Sequence, residues 1–322
     1  MTELDTAMSE AAAVLGAAES IAVIGHVGPD GDALGSAIAL ALAARQAGKS
    51  AFATFGEPFV VPDQLGFLVS DVLVSPGELT DTAVDVAVAV DVAAPDRLGS
   101  ATGITERAGR FVVIDHHMTN DGFGDVSVVD PTAAATAEVI HRLLALLEWE
   151  VDAAVAEALY VGLVTDTGRF QYSATSPAVH QIAADLLTRG VAPERVGRHL
   201  YEESPFGYLQ VAGAVLSRAQ LVPEASLVWS RLTVEDLAAA GIAYEQADGL
   251  IDLIRVAEEA EVACLLRELG DGKTKGSLRS RGAADVGAVA AGLGGGGHHN
   301  AAGFTFEGSA EEAILRVAEA LA

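Results

Sequence analysis

The sequence predicts an α/β fold: an N-terminal domain built mainly on a parallel sheet, a smaller C-terminal α/β domain, and a cleft between them. Three observations lead there. Short apolar runs alternate with alanine-rich helical stretches through the first half, which is the wiring of a largely parallel sheet. A more polar stretch carrying Pro193 and Pro205 interrupts the pattern, and a second series of strand-like runs restarts after it. Acids and histidines collect where the apolar runs end, and in parallel sheets ligands gather outside the carboxyl ends of strands.

Taken in order, Ile-Ala-Val-Ile-Gly at 21–25 reads as a buried strand, and the Ala/Leu-rich 33–47 as the helix that follows it. Further strands are expected near 51–55, at 84–90 and at 111–114, then helices over 132–147, 152–164 and 176–189, the last closed by Gly190. Residues 191–216 read as a connector, helical in part. Beyond it come a strand at 227–232, a helix around 244–257, strands at 261–269 and 276–280, a helix over 283–293, a strand at 304–307 and a last helix. The expected domains are therefore 1–190, catalytic, and 217–322, substrate-binding, with 191–216 between them. No repeat at a fixed period is present.

A chain of 322 residues with 51% hydrophobic content can bury a sizeable core. No stretch supplies the roughly 20 apolar positions of a membrane span, so no membrane partner is expected. Residues 1–10 carry acids and no basic segment, which predicts a cytoplasmic protein. Cys264 is the only cysteine, so no intramolecular disulfide can form, and its apolar surroundings predict core packing. The formal net charge of −26 reads as a solvated acidic surface. It also argues against a protein that tracks long nucleic acid, which needs a basic stripe. Only Lys49, Lys273 and Lys275 are lysines, so any nucleic acid bound is short. The sequence leaves a homodimer open.

The chemistry lies in four segments. Asp115-His116-His117 directly follows the strand at 111–114; His26-x-x-x-Asp30-x-Asp32 follows 21–25; Asp91 follows 84–90; and Asp166 stands in Thr165-Asp166-Thr167-Gly168. Asp30 and Asp32 also suit an N-terminal helix cap. Several carboxylates at adjacent strand ends would repel one another by several kcal/mol at an effective dielectric near ~20 unless cations sat between them. Four aspartates balance two divalent ions. Carboxylate and imidazole donors without thiolate favour Mn²⁺, with Mg²⁺, Co²⁺ or Fe²⁺ as competitors. A metal pair of this kind predicts hydrolysis of phosphoesters.

Outside the cluster, Gly294-Gly295-Gly296-Gly297-His298-His299-Asn300 reads as a backbone cradle for phosphate or ribose, through Gly295, Gly296, Gly297, His298 and His299. Arg279 and Arg281, just before it, offer forks for a phosphate. In Gly168-Arg169-Phe170-Gln171-Tyr172, Arg169 can meet phosphate, while Phe170 and Tyr172 can either stack a base or fill the core. His141, His180 and His199 have no ligand neighbours in sequence.

These segments resemble the successive motifs of the DHH phosphoesterase superfamily, and Gly-Gly-Gly-Gly-His-x-x-Ala-Ala-Gly at 294–303 resembles the signature of the DHH-associated domain. Length and layout are most similar to the NrnA-type oligoribonucleases and pAp phosphatases, a group with actinobacterial relatives that hydrolyse cyclic di-AMP. The resemblance implies that His26 and Asp30 hold one metal, that Asp32, His116 and Asp166 hold the other, and that Asp91 bridges them. It implies that Asp115 orients a neighbouring imidazole and that His117 contacts phosphoryl oxygens or helps the leaving group. His299 stands where relatives usually carry Arg or Lys. The implied substrates are short oligoribonucleotides, linear or cyclic di-AMP and 3′-phosphoadenosine 5′-phosphate. Alternatives are a pyrophosphatase or polyphosphatase, a RecJ-like single-strand exonuclease, and a non-catalytic nucleotide sensor.

Overall fold

The computed structural model describes residues 2–247 and 249–321, and for His298 the backbone only. The chain divides after Glu203 into two compact units. The first contains α1 (Glu3–Ala17), β1 (Ser20–Gly25), α2 (Gly31–Gln46), β2 (Ser50–Phe55), β3 (Val86–Val90), α3 (Thr102–Arg107), β4 (Arg110–Asp115), β5 (Val126–Val129), α4 (Thr136–Leu146), α5 (Ala153–Asp166), α6 (Pro177–Thr188) and α7 (Pro193–Gly197). Its sheet runs β2-β1-β3-β4-β5. Every pairing in it is parallel, with Ile21 opposite both Ala51 and Val86 and Val90 opposite Ile114.

All five residues of β3 are buried, as are five of the six in β1. Helices cover both faces of such a sheet, which is why these strands read as unbroken apolar runs. Besides the six-residue α3, two elements of this unit are additional to the sequence reading. The first is α1, opened by a capping box between Thr2 and Asp5. The other is β5, a four-residue edge strand with alternating burial. Short edge strands carry little pattern to read.

The second unit contains α8 (Phe206–Ser217), β6 (Gln220–Val222), β7 (Leu227–Leu232), α9 (Val234–Ala240), α10 (Leu250–Ile254), β8 (Val262–Glu268), β9 (Lys273–Ser280), α11 (Val286–Gly292), β10 (Gly296–His298), β11 (Ala301–Glu307) and α12 (Ala310–Leu321). Its sheet order is β10-β11-β9-β8-β7-β6, and only β7 and β8 run parallel. Cys264 is buried on β8 within the core.

Three expectations need correction. The helix around 244–257 is broken: a 3₁₀ turn spans Tyr244–Ala247, Gly249 takes φ +81°, and α10 is only five residues long. The stretch 191–216 is mostly helical, and the division after Glu203 places α7 in the first unit and α8 in the second. The helix expected from 132 starts at Thr136, because Asp130 ties residues 132 and 133 into a turn through the Thr132 and Ala133 N–H groups.

Candidate metal centre

Neighbouring strands deliver the site. β1, β3 and β4 lie side by side, so their carboxyl ends set His26, Asp91 and Asp115-His116-His117 along one edge. Asp91 takes φ +58°, a left-handed conformation that costs a non-glycine residue about 1 kcal/mol or more and is retained where the fold over-determines it. Here its N–H is held by the Ile114 carbonyl at 3.0 Å.

Two helices bring the remaining carboxylates. The N-terminus of α2 meets the C-terminal half of α5 at unusually close range. A side chain at Gly162 would strike Asp32 Oδ1 at 2.6 Å, and one at Gly35 would strike the Ala158 carbonyl. This antiparallel crossing sets Asp32, in the first turn of α2, beside Asp166, the last residue of α5. Asp30 does cap α2: its Oδ1 accepts from the N–H groups of Asp32 and Ala33, both at 3.1 Å. Its other oxygen lies 3.7 Å from His26 Nε2, so capping and ligation use different atoms.

Three overlapping groups result: His26, Asp30 and Asp91; Asp32, His116 and Asp166; and Asp91, His116 and His117. Within each, candidate ligand atoms lie within 4.8 Å of one another. Each of the first two imidazoles turns Nε2 toward carboxylates, His26 at 3.7 Å from Asp91 Oδ2 and His116 at 3.2 Å from Asp166 Oδ2. Their Nδ1 atoms face backbone carbonyls, Val27 at 3.0 Å and Ala133 at 3.3 Å. A carbonyl that fixes Nδ1–H and aims Nε2 inward is the usual support of a metal-ligating histidine.

The electrostatics describe a site built for cations. Burial, and then the neighbouring carboxylates Asp32, Asp30, Asp166 and Asp115, push Asp91 well above the ordinary carboxylate range. Burial and the Asp166 charge push Asp32 up to about 7, against the pull of His116. Asp166 is raised mainly by burial, which outweighs its bond to His116. His116 is raised to about 9, because Asp166 and Asp32 overcome the burial that opposes its charge. Asp30 is different. Surrounding protein raises it, but His26 and the two α2 N–H groups outweigh that and hold it below the usual range. Donors limited to oxygen and imidazole nitrogen, with mutually repelling carboxylates, fit hard or borderline divalent cations.

Several supporting residues gave no signal in the sequence. Thr136 binds two of the carboxylates at the start of α4: its N–H donates to Asp32 Oδ2 at 2.6 Å and its hydroxyl to Asp91 Oδ1 at 3.0 Å. Asn120 donates to Asp115 Oδ2 at 2.7 Å, and the Arg97 guanidinium, with Nη2 3.0 Å from His26 Nδ1, opposes a positive charge on that imidazole. The imidazole that Asp115 meets is His117, at 2.7 Å from its Oδ1 to Nδ1.

In the second unit, the glycine run expected as a backbone cradle takes part in strand pairing. Gly296 and Gly297 form β10, paired with Gly303 and Ala302. Gly297 takes φ +142°, and a side chain there would strike Ala302 Cα at 2.5 Å; Gly295 abuts the Gly303 carbonyl, while Gly296 faces open space. The glycines thus permit a tight hairpin. Arg281 donates to the Ala257 and Ala260 carbonyls and acts as a structural clamp. Arg279 donates to its neighbour's carbonyl, Leu278, at 3.0 Å. His299 lies beside Asp285 and the Gly282 carbonyl, at 3.5 and 3.3 Å. The His298 side chain lies outside the described residues.

Comparison with known proteins decides the family. Residues 20–163 match the DHH family, N-terminal domain, and residues 230–322 match the DHHA1 domain. The chain belongs to the DHH family. It is 38% identical over 313 residues, 96% of this chain and 92% of the relative, to the bifunctional oligoribonuclease and PAP phosphatase NrnA of Thermus thermophilus. It is 26% identical to the cyclic-di-AMP phosphodiesterase GdpP of Bacillus subtilis, covering 94% of this chain and 47% of that one. A crystal structure of an exopolyphosphatase-related protein from Bacteroides fragilis superposes with a TM-score of 0.91 at 26% identity, covering 100% and 97% of the two chains. The DHH match runs from β1 into α5 and includes every candidate ligand except Asp166, which lies three residues beyond its end.

Proposed function

We propose that this DHH protein is a phosphodiesterase and phosphatase dependent on two divalent cations. Its substrates are short oligoribonucleotides, linear or cyclic di-AMP, and 3′-phosphoadenosine 5′-phosphate. The observation that supports the reading is the overlap of three three-ligand groups, His26–Asp30–Asp91 and Asp32–His116–Asp166 with Asp91–His116–His117 sharing a member with each. The Thermus thermophilus relative, named for the oligoribonuclease and PAP phosphatase activities, supports the substrate class over nearly the whole chain.

In this reading His26 and Asp30 hold one cation, Asp32, His116 and Asp166 the other, and Asp91 both. Mn²⁺ suits the donor set best, with Mg²⁺ or Co²⁺ as competitors. A bound pair supplies Lewis acidity, which makes water nucleophilic at neutral pH and stabilises charge on the phosphoryl oxygens. The chain's own groups do the rest. Asp115 is held below the usual carboxylate range by His117 and Asn120 despite its burial, so it is ionised and can only accept. The proton of the 2.7 Å contact therefore sits on His117 Nδ1, which fixes the ring and leaves Nε2 to exchange a proton with the phosphoryl or leaving oxygen. In the second unit, Arg279 and the open Gly296 position contribute nucleotide contacts.

The test is hydrolysis, with Mn²⁺ added, of a panel of linear di-AMP, cyclic di-AMP, 3′-phosphoadenosine 5′-phosphate, short RNA, long single-stranded DNA and polyphosphate. The short nucleotides should be preferred, and release of AMP should vanish in Asp91→Ala. Preference for polyphosphate or long DNA would overturn the substrate class.

A further inference from the structure

The segment after Asp166 is built at a conformational cost. Gly168, Arg169 and Phe170 take φ values of +54°, +62° and +63° in succession, and two of them are not glycine. Each such residue costs on the order of 1 kcal/mol. The surroundings enforce it: Arg169 N–H donates to the Val164 carbonyl at 2.8 Å, and Gln171 and Tyr172 N–H both donate to the Thr167 carbonyl at 2.9 and 3.0 Å. The Thr167 hydroxyl accepts from Phe170 N–H at 3.1 Å.

The turn sends two neighbouring side chains in opposite directions. Phe170 goes inward against Tyr160 and His180, with ring centroids 6.2 and 5.2 Å away. Arg169 goes outward and is exposed, and its guanidinium carbon lies 3.7 Å from the centroid of the Tyr201 ring. Tyr201 comes from a single π-helical turn, Arg198–Glu202, that follows α7, and such widened turns recur at functional sites.

Charge makes Arg169 unusual. The chain has 45 acids against 19 bases. In the first unit Arg45, Arg110, Arg142, Arg189 and Arg195 each pair with a carboxylate. Among the described residues the Arg169 guanidinium donates to no carboxylate and no carbonyl. A guanidinium stacked on a ring is fixed in its plane while its N–H edges still point outward, and that fork matches the oxygens of a phosphate.

We propose that Arg169, held over the Tyr201 ring, forms a second anion subsite beside the metal centre, which binds the phosphate of a nucleotide substrate that is not being hydrolysed. The proposal rests on the phosphoesterase reading above and adds to it a determinant of substrate choice. Arg169 is a binding residue here, and Tyr201 positions it.

The experiment compares two substrates that differ only in the distant group, adenosine 3′,5′-bisphosphate and adenosine 3′-monophosphate, using full-length protein with Mn²⁺. Arg169→Gly removes the side chain without strain, since glycine accepts φ +62°. It should lower the ratio of kcat/KM for the bisphosphate to that for the monophosphate by about tenfold or more, with the loss in KM. Arg169→Lys should recover part of that ratio. Tyr201→Ala should shift it in the same direction as Arg169→Gly, and Tyr201→Phe, which keeps the ring, by less. Melting temperatures establish that each variant is folded. If the wild type hydrolyses both substrates and Arg169→Gly leaves the ratio unchanged or lowers both rates alike, the subsite is wrong and the phosphoesterase reading stands. If the wild type hydrolyses neither, both fall together.

Discussion

At the carboxyl edge of the first unit's sheet, Asp32, Asp91 and Asp115 are 0%, 2% and 0% exposed and crowd against two further aspartates and three histidines. In the second unit a well-shielded carboxylate, Asp236, closes the capping box of α9 and faces the Arg218 guanidinium, with Nη2 at 2.8 Å from Oδ1. One region gathers like charges that the protein's own cations leave largely unbalanced. The other balances its charge locally. The contrast separates electrostatics that serve stability from electrostatics that wait for a ligand, because unbalanced buried carboxylates weaken the fold until cations join them.

The sharpest way to break the contrast is Asp91→Ala. Turnover should fall by about a thousandfold, some 4 kcal/mol of barrier. In chelator the variant should melt no lower than the wild type, because a repelling buried carboxylate has gone. A large loss of metal-free stability would instead make Asp91 a structural residue of the ordinary kind.

Metal removal tests the same point through pH. The folded-state pKa of Asp32, about 7, lies above its unfolded value of 3.8. Between those values the folded state binds more protons than the unfolded one, so metal-free stability should fall as pH rises from about 4 to 7. Cations bind the deprotonated form and should offset that loss. The gain in melting temperature on adding Mn²⁺ should therefore grow from pH 5 to pH 8, and a gain independent of pH would contradict the assignment.

A smaller effect is expected one layer out. Asp115→Asn removes the carboxylate that fixes the His117 proton and should lower kcat by about a hundredfold, with little change in KM. Equal loss from Asp115→Asn in a His117→Ala background would show that the two do not act together.

The smallest effect belongs to the second unit. Asp236, only 10% exposed at its side chain, has its pKa lowered to about 2, first by Arg218 and then by the cap of α9, against partial burial. Its contribution is fully present above the unfolded value near 3.8 and is lost as pH falls through about 2. Since Arg218 is 37% exposed, the pair is worth about 1 kcal/mol after screening. Asp236→Asn should cost that much in urea unfolding at pH 7 and leave metal binding unchanged.

Much of the first unit was legible because its strands are buried on both faces. Unbroken runs such as Val-Ala-Val-Ala-Val announce strands, and the acids that end them stand out. The residues that come together in the three groups are those that the motifs and the family resemblance single out. What the sequence hid was support. Thr136, Asn120 and Arg97 act through contacts with residues 28 to 104 positions away, apart from the Asn120–Asp115 contact, and nothing local marks them. The helix expected around 244–257 misled because an apolar helical period continues across Gly249, whose positive φ breaks it. The glycine run was legible only in part. Its reading as a backbone cradle gave no sign that the same lack of a side chain also permits the tight β10–β11 hairpin.

The most direct test of the two-cation site is anomalous diffraction from crystals grown with manganese. It should show two peaks about 3.5 to 4 Å apart, one contacted by His26, Asp30 and Asp91 and the other by Asp32, His116, Asp166 and the same Asp91. A single peak, or none among these side chains, would contradict it.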